Sequence, residues 1–136
     1  MHEARGDFKA AAAAYQAEIA ASPALYQPHF NLAKILQRGN RPSEALTHFR
    51  SAVDKNPSFG TGWLYLAKAL LDTGDLEGAE QAALRGLQSS PDAAMLPLGH
   101  YVLADVYARL GRNADSARHA AAGQRAERQT GAAVRQ

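Results

Sequence analysis

A recurring proline spacing constrains this chain more than any other feature. Pro23, Pro57 and Pro91 follow one another at intervals of 34 residues in a sequence of 136. The same shift places Leu32-Ala33 on Leu66-Ala67. A period of 20–50 residues is typical of repeat architectures, in which each unit buries its apolar face on its neighbours. The chain is therefore predicted to be built from repeats.

Each repeat is predicted to contain two helices. In the second repeat, an apolar stripe at helical spacing predicts a first helix over 28–37. Asn or Gly follows each first helix, since these residues tolerate the left-handed backbone beyond a helix C-terminus; they are Asn40, Gly74 and Gly111. Second helices are predicted over 42–55, 76–89 and 113–128, and Pro57 and Pro91 end the first two of them. Small residues at Ala33, Ala45 and Ala52 allow close approach of neighbouring helices.

The aligned positions resemble the tetratricopeptide repeat pattern, W-x2-L-G-x2-Y followed by A-x3-F, A and P. The third repeat fills these positions with Trp63, Leu66, Ala67, Leu70, Gly74, Ala79, Gly86 and Pro91. The second supplies His29, Leu32, Ala33, Leu36, Ala45, Phe49, Ala52 and Pro57. The fourth supplies His100, Leu103, Ala104, Tyr107, Gly111, Ser116, Ala120 and Gly123, after a three-residue insertion.

This resemblance covers about residues 6–128 and implies an all-α fold. The expected architecture is a right-handed α-solenoid of antiparallel helix pairs, with about 3.5 units. Residues 6–23 would be the second helix of a partial repeat, and 24–57, 58–91 and 92–128 would be repeats within a solenoid spanning 1–128. The last repeat ends in a polar capping helix that favours a natural C-terminus, and 129–136 is expected to be a frayed tail.

The N-terminal edge of this solenoid is expected to expose apolar surface. Its helix carries Phe8, Tyr15 and Ile19, but a partner first helix would have to precede Met1. We favour the interpretation that the chain is a fragment of a longer protein. The alternative is a structural role in which this edge self-associates, giving a homo-oligomer.

Function in such a solenoid is expected on its concave face, which resembles the ligand groove of the family. Helical phase places on that face a mixture of aromatic, aliphatic and charged residues, more apolar than a solvated face requires. These residues are Gln27, Phe30, Asn31, Lys34, Arg38, Thr61, Leu64, Tyr65, Lys68, Asp72, Leu98, Tyr101, Val102, Asp105 and Arg109. In the alternative interpretation, Phe30, Leu64 and Tyr101 pack against neighbouring helices.

The mixture favours binding of a peptide segment or helix from a protein partner in this groove. One sub-family holds a chaperone's C-terminal carboxylate with Lys and Asn side chains. Asn31 occupies one such position, but Phe30, Thr61 and Tyr65 occupy others, so this ligand is not expected.

Arginine outnumbers lysine eleven to four and alanine is abundant, which favours a GC-rich bacterial source. We expect the module to belong to a larger bacterial protein or assembly.

No catalytic, cofactor or metal site is predicted. The sequence has no cysteine, no nucleophile elbow and no phosphate-binding loop, so we expect the chain not to be an enzyme. His29 and His100 lie two repeats apart, too far to share a metal. His48 and His119 each follow an acidic residue by four positions, which we interpret as exposed surface pairs.

Charge and hydropathy argue against nucleic acid or membrane as partners. The net charge is +2, and the six arginines from Arg109 onward are spread around a helix without interleaved aromatics. No apolar run reaches the length of a transmembrane helix, and Met1–Arg5 lacks the apolar core of a secretory signal. A cytoplasmic location is the corresponding expectation.

Overall fold

The computed structural model describes residues 2–89 and 91–135, with side-chain environments for 7–89 and 91–131. Within these residues the chain forms seven α-helices and no β-strand. They are α1 His2–Ala21, α2 Gln27–Arg38, α3 Pro42–Lys55, α4 Gly60–Asp72, α5 Leu76–Gln88, α6 Leu96–Arg109 and α7 Asn113–Arg135. A single 3-10 turn, Ala93–Met95, precedes α6. The predicted all-α architecture of helix pairs is confirmed.

The first helices end in the same way at three repeat-equivalent positions. Asn40, Gly74 and Gly111 have φ angles of 60°, 90° and 77°, in the left-handed region that Gly and Asn tolerate best. At α2, the next residue, Arg41, donates its N–H to the Leu36 carbonyl at 2.9 Å, and Asn40 donates to Gln37 at 3.2 Å. The same pair of bonds ends α4 and α6. Each first helix is therefore closed by a Schellman motif, which turns the chain into the second helix.

The chain divides into two compact units, Met1–Pro57 and Ser58–Gln136. In unit 1, α2 packs against both α1 and α3. The buried stripe predicted on α2 meets small and aromatic residues of α3, and the Phe30 and Phe49 ring centroids lie 6.0 Å apart. The core of this unit is formed by Phe30, Leu32, Ala33, Leu36, Ala45, Phe49, Ala52 and Val53.

In unit 2, α4 packs against α5 and α6, and α6 packs against α7. Close packing of α4 on α5 depends on Gly86, whose Cα faces the Leu64 side chain. The start of α5 is stabilised by Asp75, whose carboxylate accepts a hydrogen bond from the Gly78 N–H at 2.9 Å. Burial of Leu64, Leu66, Leu70, Leu103 and Val106 completes the core of this unit.

The C-terminal helix is longer than the sequence indicated. α7 continues to Arg135, so residues 129–135, which we expected to form a frayed tail, are helical; Gln136 lies outside the described residues. Alanine, arginine and glutamine are good helix formers, and the lone Gly131 does not interrupt them. Among the described helices, none combines the length and apolar character needed to cross a bilayer.

Candidate interaction surface and histidine pairs

In unit 1, the predicted groove residues lie along α2. Gln27 and Arg38 are exposed, and Asn31 and Lys34 are half-buried. Phe30 is only 9% exposed, and the Lys34 Nζ lies 4.8 Å from its ring centroid. Lysine thus covers an aromatic ring that is otherwise packed in the core, and the accessible part of this surface is polar.

In unit 2, the predicted groove residues lie on α4 and α6, the first helices of successive repeats, which contact each other. Leu64 is fully buried and Val102 is 2% exposed, so both contribute to packing rather than to an accessible surface. Asp72 and Arg109 are exposed. The remaining predicted residues are half-buried: Thr61, Tyr65, Lys68, Leu98, Tyr101 and Asp105.

The charged residues of this face form two ion pairs along their own helices. The Lys68 Nζ lies 2.6 Å from an Asp72 carboxylate oxygen on α4. On α6, the Arg109 Nε donates to the Asp105 carboxylate at 2.9 Å. The two pairs occupy equivalent repeat positions with opposite order, since the cation comes first on α4 and the anion comes first on α6. The face therefore carries alternating charge with little net sign.

Tyr101 joins this face to the capping helix. A Cβ placed at Gly123 of α7 would lie 2.7 Å from the Tyr101 ring, so glycine is what allows the ring to rest on the helix. Desolvation raises the pKa of Tyr101, and a hydrogen bond to Glu127 acts in the same direction. The ring is held in place by α7, which agrees with the packing interpretation, while part of it stays accessible.

The N-terminal edge residues Phe8, Tyr15 and Ile19 are half-buried on α1. A cavity of about 710 Å³ lies between α1 and α2, and both Phe8 and Arg38 line it. The guanidinium carbon of Arg41 lies 5.9 Å from the Phe8 ring centroid. Unit 1 thus brings one predicted edge residue, Phe8, next to the end of the predicted groove at Arg38.

Two histidine pairs were not anticipated from the sequence. The Nδ1 atoms of His29 on α2 and His48 on α3 lie 3.0 Å apart. The same atoms of His100 on α6 and His119 on α7 lie 3.1 Å apart. The prediction that His48 and His119 form exposed surface pairs with their acidic neighbours is wrong, because each ring turns inward to a histidine of the partner helix.

The surroundings of the first pair keep it neutral. Burial lowers the pKa of His29, and the charges of His48 and Lys55 lower it further. Burial also lowers the pKa of His48, although the Glu44 carboxylate partly opposes this effect. Two imidazolium ions at hydrogen-bond distance would repel each other, whereas a neutral pair shares one N–H···N bond.

The second pair has the same electrostatics. Burial lowers the pKa of His100, assisted by His119 and Arg125. Burial lowers the pKa of His119, with Arg118 acting in the same sense and Asp115 against it. All four native pKa values lie below the ordinary histidine value of 6.5. As the pH falls below that value, the unfolded chain therefore binds more protons than the native chain. The free energy of unfolding therefore decreases with falling pH in this range.

Comparison with known families identifies the repeats. One family model, described as Tetratricopeptide repeat, matches residues 30–94. A second, also described as Tetratricopeptide repeat, matches residues 97–122. The chain belongs to the tetratricopeptide repeat family. Tetratricopeptide repeats bind protein partners, and the family match supports a role as a protein-interaction scaffold.

Solved structures with a similar fold include those of MamA proteins. A structure described as "Crystal structure of MamA" superimposes with a TM-score of 0.76 at 20% identity, covering 85% of this chain and 66% of that one. A structure of MamA from Desulfovibrio magneticus RS-1, from residue 41 to the end, superimposes with a TM-score of 0.76 at 18% identity. It covers 91% of this chain and 68% of that one. At such identities the likeness concerns the tetratricopeptide repeat fold alone.

The chain spans 66% and 61% of the length of two of these MamA structures. No curated protein matches the chain.

Within the described residues, no group of three or more His, Cys, Asp or Glu side chains is arranged to hold a metal ion. The tetratricopeptide repeat pattern contains no histidine, so it does not account for the two histidine pairs.

Proposed function

We propose that this chain binds a peptide segment or helix of a partner protein through the first-helix faces of its repeats, as one module of a larger bacterial protein or assembly. Its role is binding rather than catalysis. The observation that supports this most is in unit 2. There, α4 and α6 contact each other and bury Leu64 and Val102 beneath a half-buried aromatic and charged face.

The chemistry of that face indicates the kind of ligand. Tyr65, Leu98 and Tyr101 offer partly accessible apolar area, and aromatic residues contribute strongly at interfaces. Lys68 and Arg109 already have carboxylate partners on their own helices. A purely acidic peptide would have to compete with Asp72 and Asp105. A ligand with apolar anchors and charges of both signs fits better, because it can pair with all four groups.

The function is tested with a phage-displayed peptide library selected against the full chain. Affinities of the selected peptides are then measured by isothermal titration calorimetry. We expect dissociation constants in the micromolar range, which corresponds to about −8 kcal/mol. The double variant Lys34→Glu with Lys68→Glu should weaken binding at least about tenfold, because it reverses charge on α2 and places like charges together on α4.

The control is Arg50→Glu, which reverses one charge, as each of the two substitutions in the double variant does, at an exposed position of the second helix α3. This variant should bind within about twofold of the parent, since a charge outside the contact surface affects affinity weakly. Circular dichroism of both variants confirms retained helicity. Equal affinity of the parent and the double variant would contradict the proposed surface.

A second proposed function is self-association through α1. It is favoured by the cavity between α1 and α2, which Phe8 lines, and by the partial exposure of Tyr15 and Ile19. Sedimentation velocity at several concentrations tests it. A concentration-dependent dimer that Tyr15→Asp abolishes would support self-association, and a monomer at every concentration would contradict it.

A further inference from the structure

The two histidine pairs repeat one local geometry in different units. In addition to the Nδ1–Nδ1 separations of 3.0 and 3.1 Å, their ring centroids lie 5.3 and 5.4 Å apart, with interplanar angles of 30° and 27°. Each pair joins the first helix of a repeat to its second helix. The third repeat provides an internal contrast, because the equivalent positions hold Trp63 and Ala82.

In each pair, the two nitrogen atoms that face each other suit a single metal ion. Imidazole nitrogens bind transition metals at about 2.0–2.1 Å, so two nitrogens at these separations subtend about 95° at a shared ion. That angle is closer to the cis angle of a square-planar or octahedral ion than to a tetrahedral one. Cu²⁺ and Ni²⁺ take tetragonal or square-planar sites of nitrogen and oxygen ligands.

We propose that each histidine pair is a cis two-imidazole site for Cu²⁺ or Ni²⁺, with water in the remaining coordination positions. The neutral state of the rings assists this, because a metal needs an unprotonated nitrogen. In the metal-free pair one ring donates its Nδ1–H to the other. On binding, the donor ring changes tautomer, so that both rings carry the proton on Nε2 and both Nδ1 lone pairs face the ion.

Such an ion would link the two helices of a repeat. His29 and His48 connect α2 to α3, and His100 and His119 connect α6 to α7. Because the two nitrogens of a pair are brought together only by folding, the ion binds the native state in preference to the unfolded chain and stabilises it. The bound metal should therefore raise the thermal midpoint as well as give a binding isotherm.

The experiment uses the full chain with His2→Gln as the parent, which removes chelation by the N-terminal amine and His2. NiCl₂ and CuCl₂ are titrated calorimetrically at pH 7.5. We expect at least one of the two metals to bind with a stoichiometry of two ions per chain. His48→Gln and His119→Gln should each remove one ion, with the unchanged pair in each variant as the matched control. The double variant His48→Gln with His119→Gln should lose both.

Two further measurements keep the outcome independent of folding defects. Far-UV circular dichroism establishes that the variants retain their helices, and electron paramagnetic resonance of the Cu²⁺-loaded parent reports the nitrogen ligands of each ion. Two equatorial imidazole nitrogens per ion would support the site. Absence of binding by the folded parent, an isotherm unchanged in the folded double variant, or a single nitrogen per ion would overturn it.

Discussion

Replacing Gly86 by alanine tests how closely α4 and α5 must approach. An alanine Cβ there would lie 2.6 Å from the Leu64 Cδ2 and 3.0 Å from the Gly60 carbonyl oxygen, well inside the contact distance of about 3.5–4.0 Å. Leu64 is fully buried and cannot swing into solvent, and the Gly60 oxygen is backbone. The helices must therefore separate for the methyl group to fit.

Two effects of this substitution oppose each other. Alanine in a helix interior is favoured over glycine by about 1 kcal/mol. Overpacking of a core costs about 1–3 kcal/mol, and a contact with both a buried side chain and backbone belongs in the upper part of that range. We expect Gly86→Ala to lower the free energy of unfolding by about 1–2 kcal/mol.

The assay is urea denaturation followed by circular dichroism, with Gly131→Ala as the matched control. Gly131 is also helical, but nothing lies within 4 Å of a Cβ placed there. Its substitution should stabilise the chain by about 0.5–1 kcal/mol through helix propensity alone. If Gly86→Ala were as stabilising as Gly131→Ala, the close packing of α4 on α5 would be refuted.

Three further predictions concern pH and helix ends. The midpoint of urea unfolding should be lower at pH 5.5 than at pH 7.5, and the decrease should be smaller in the His48→Gln with His119→Gln variant; equal decreases would contradict the role of the pairs. Gly74→Ala should destabilise by about 1–2 kcal/mol in thermal melts, because its φ of 90° is costly for any other residue; an unchanged melt would refute this. Asp75→Ala should lower the free energy of unfolding by about 1 kcal/mol in the same melts, because the N-cap hydrogen bond is lost. Asp75→Asn should retain most of that stability, because the asparagine side chain can still accept the bond.

Local signals in the sequence predicted the repeat framework well. Prolines and glycines act on their own segment of backbone, so their effect does not depend on distant contacts. The second helix predicted over 42–55 forms with those bounds, and Asn40, Gly74 and Gly111 adopt the expected left-handed backbone. The C-terminal tail differs most from the prediction, because helix propensity carries α7 to Arg135.

The accessible surface of the first helices was harder to predict, because an argument from helical phase assumes that a helix has only one buried side. α4 contacts both α5 and α6, so a residue such as Leu64, placed opposite the main stripe, is still buried. The same holds for Phe30 on α2, which lies between α1 and α3. A first helix in a stack has neighbours on several sides, which leaves a narrower accessible strip than an isolated amphipathic helix.

The histidine pairs were missed because the spacing arguments concern residues of one helix or equivalent positions in different repeats, and not contacts between the two helices of one repeat. Spacing of four residues pointed to Glu44 and Asp115, whereas the actual contacts cross to the partner helix, 19 residues away. A usable signal was present. His29 and His48 recur together as His100 and His119, and joint recurrence at two positions of a repeat favours a contact between them.

Peptide binding by the first helices is tested most directly by amide chemical-shift mapping, with a selected peptide added to the isotopically labelled chain. We expect the largest shifts on first-helix residues such as Asn31, Tyr65 and Asp105. Exposed second-helix residues such as Arg50 and Gln81 should change little. Largest shifts on α3, α5 and α7, with the first helices unaffected, would refute binding by the first-helix faces.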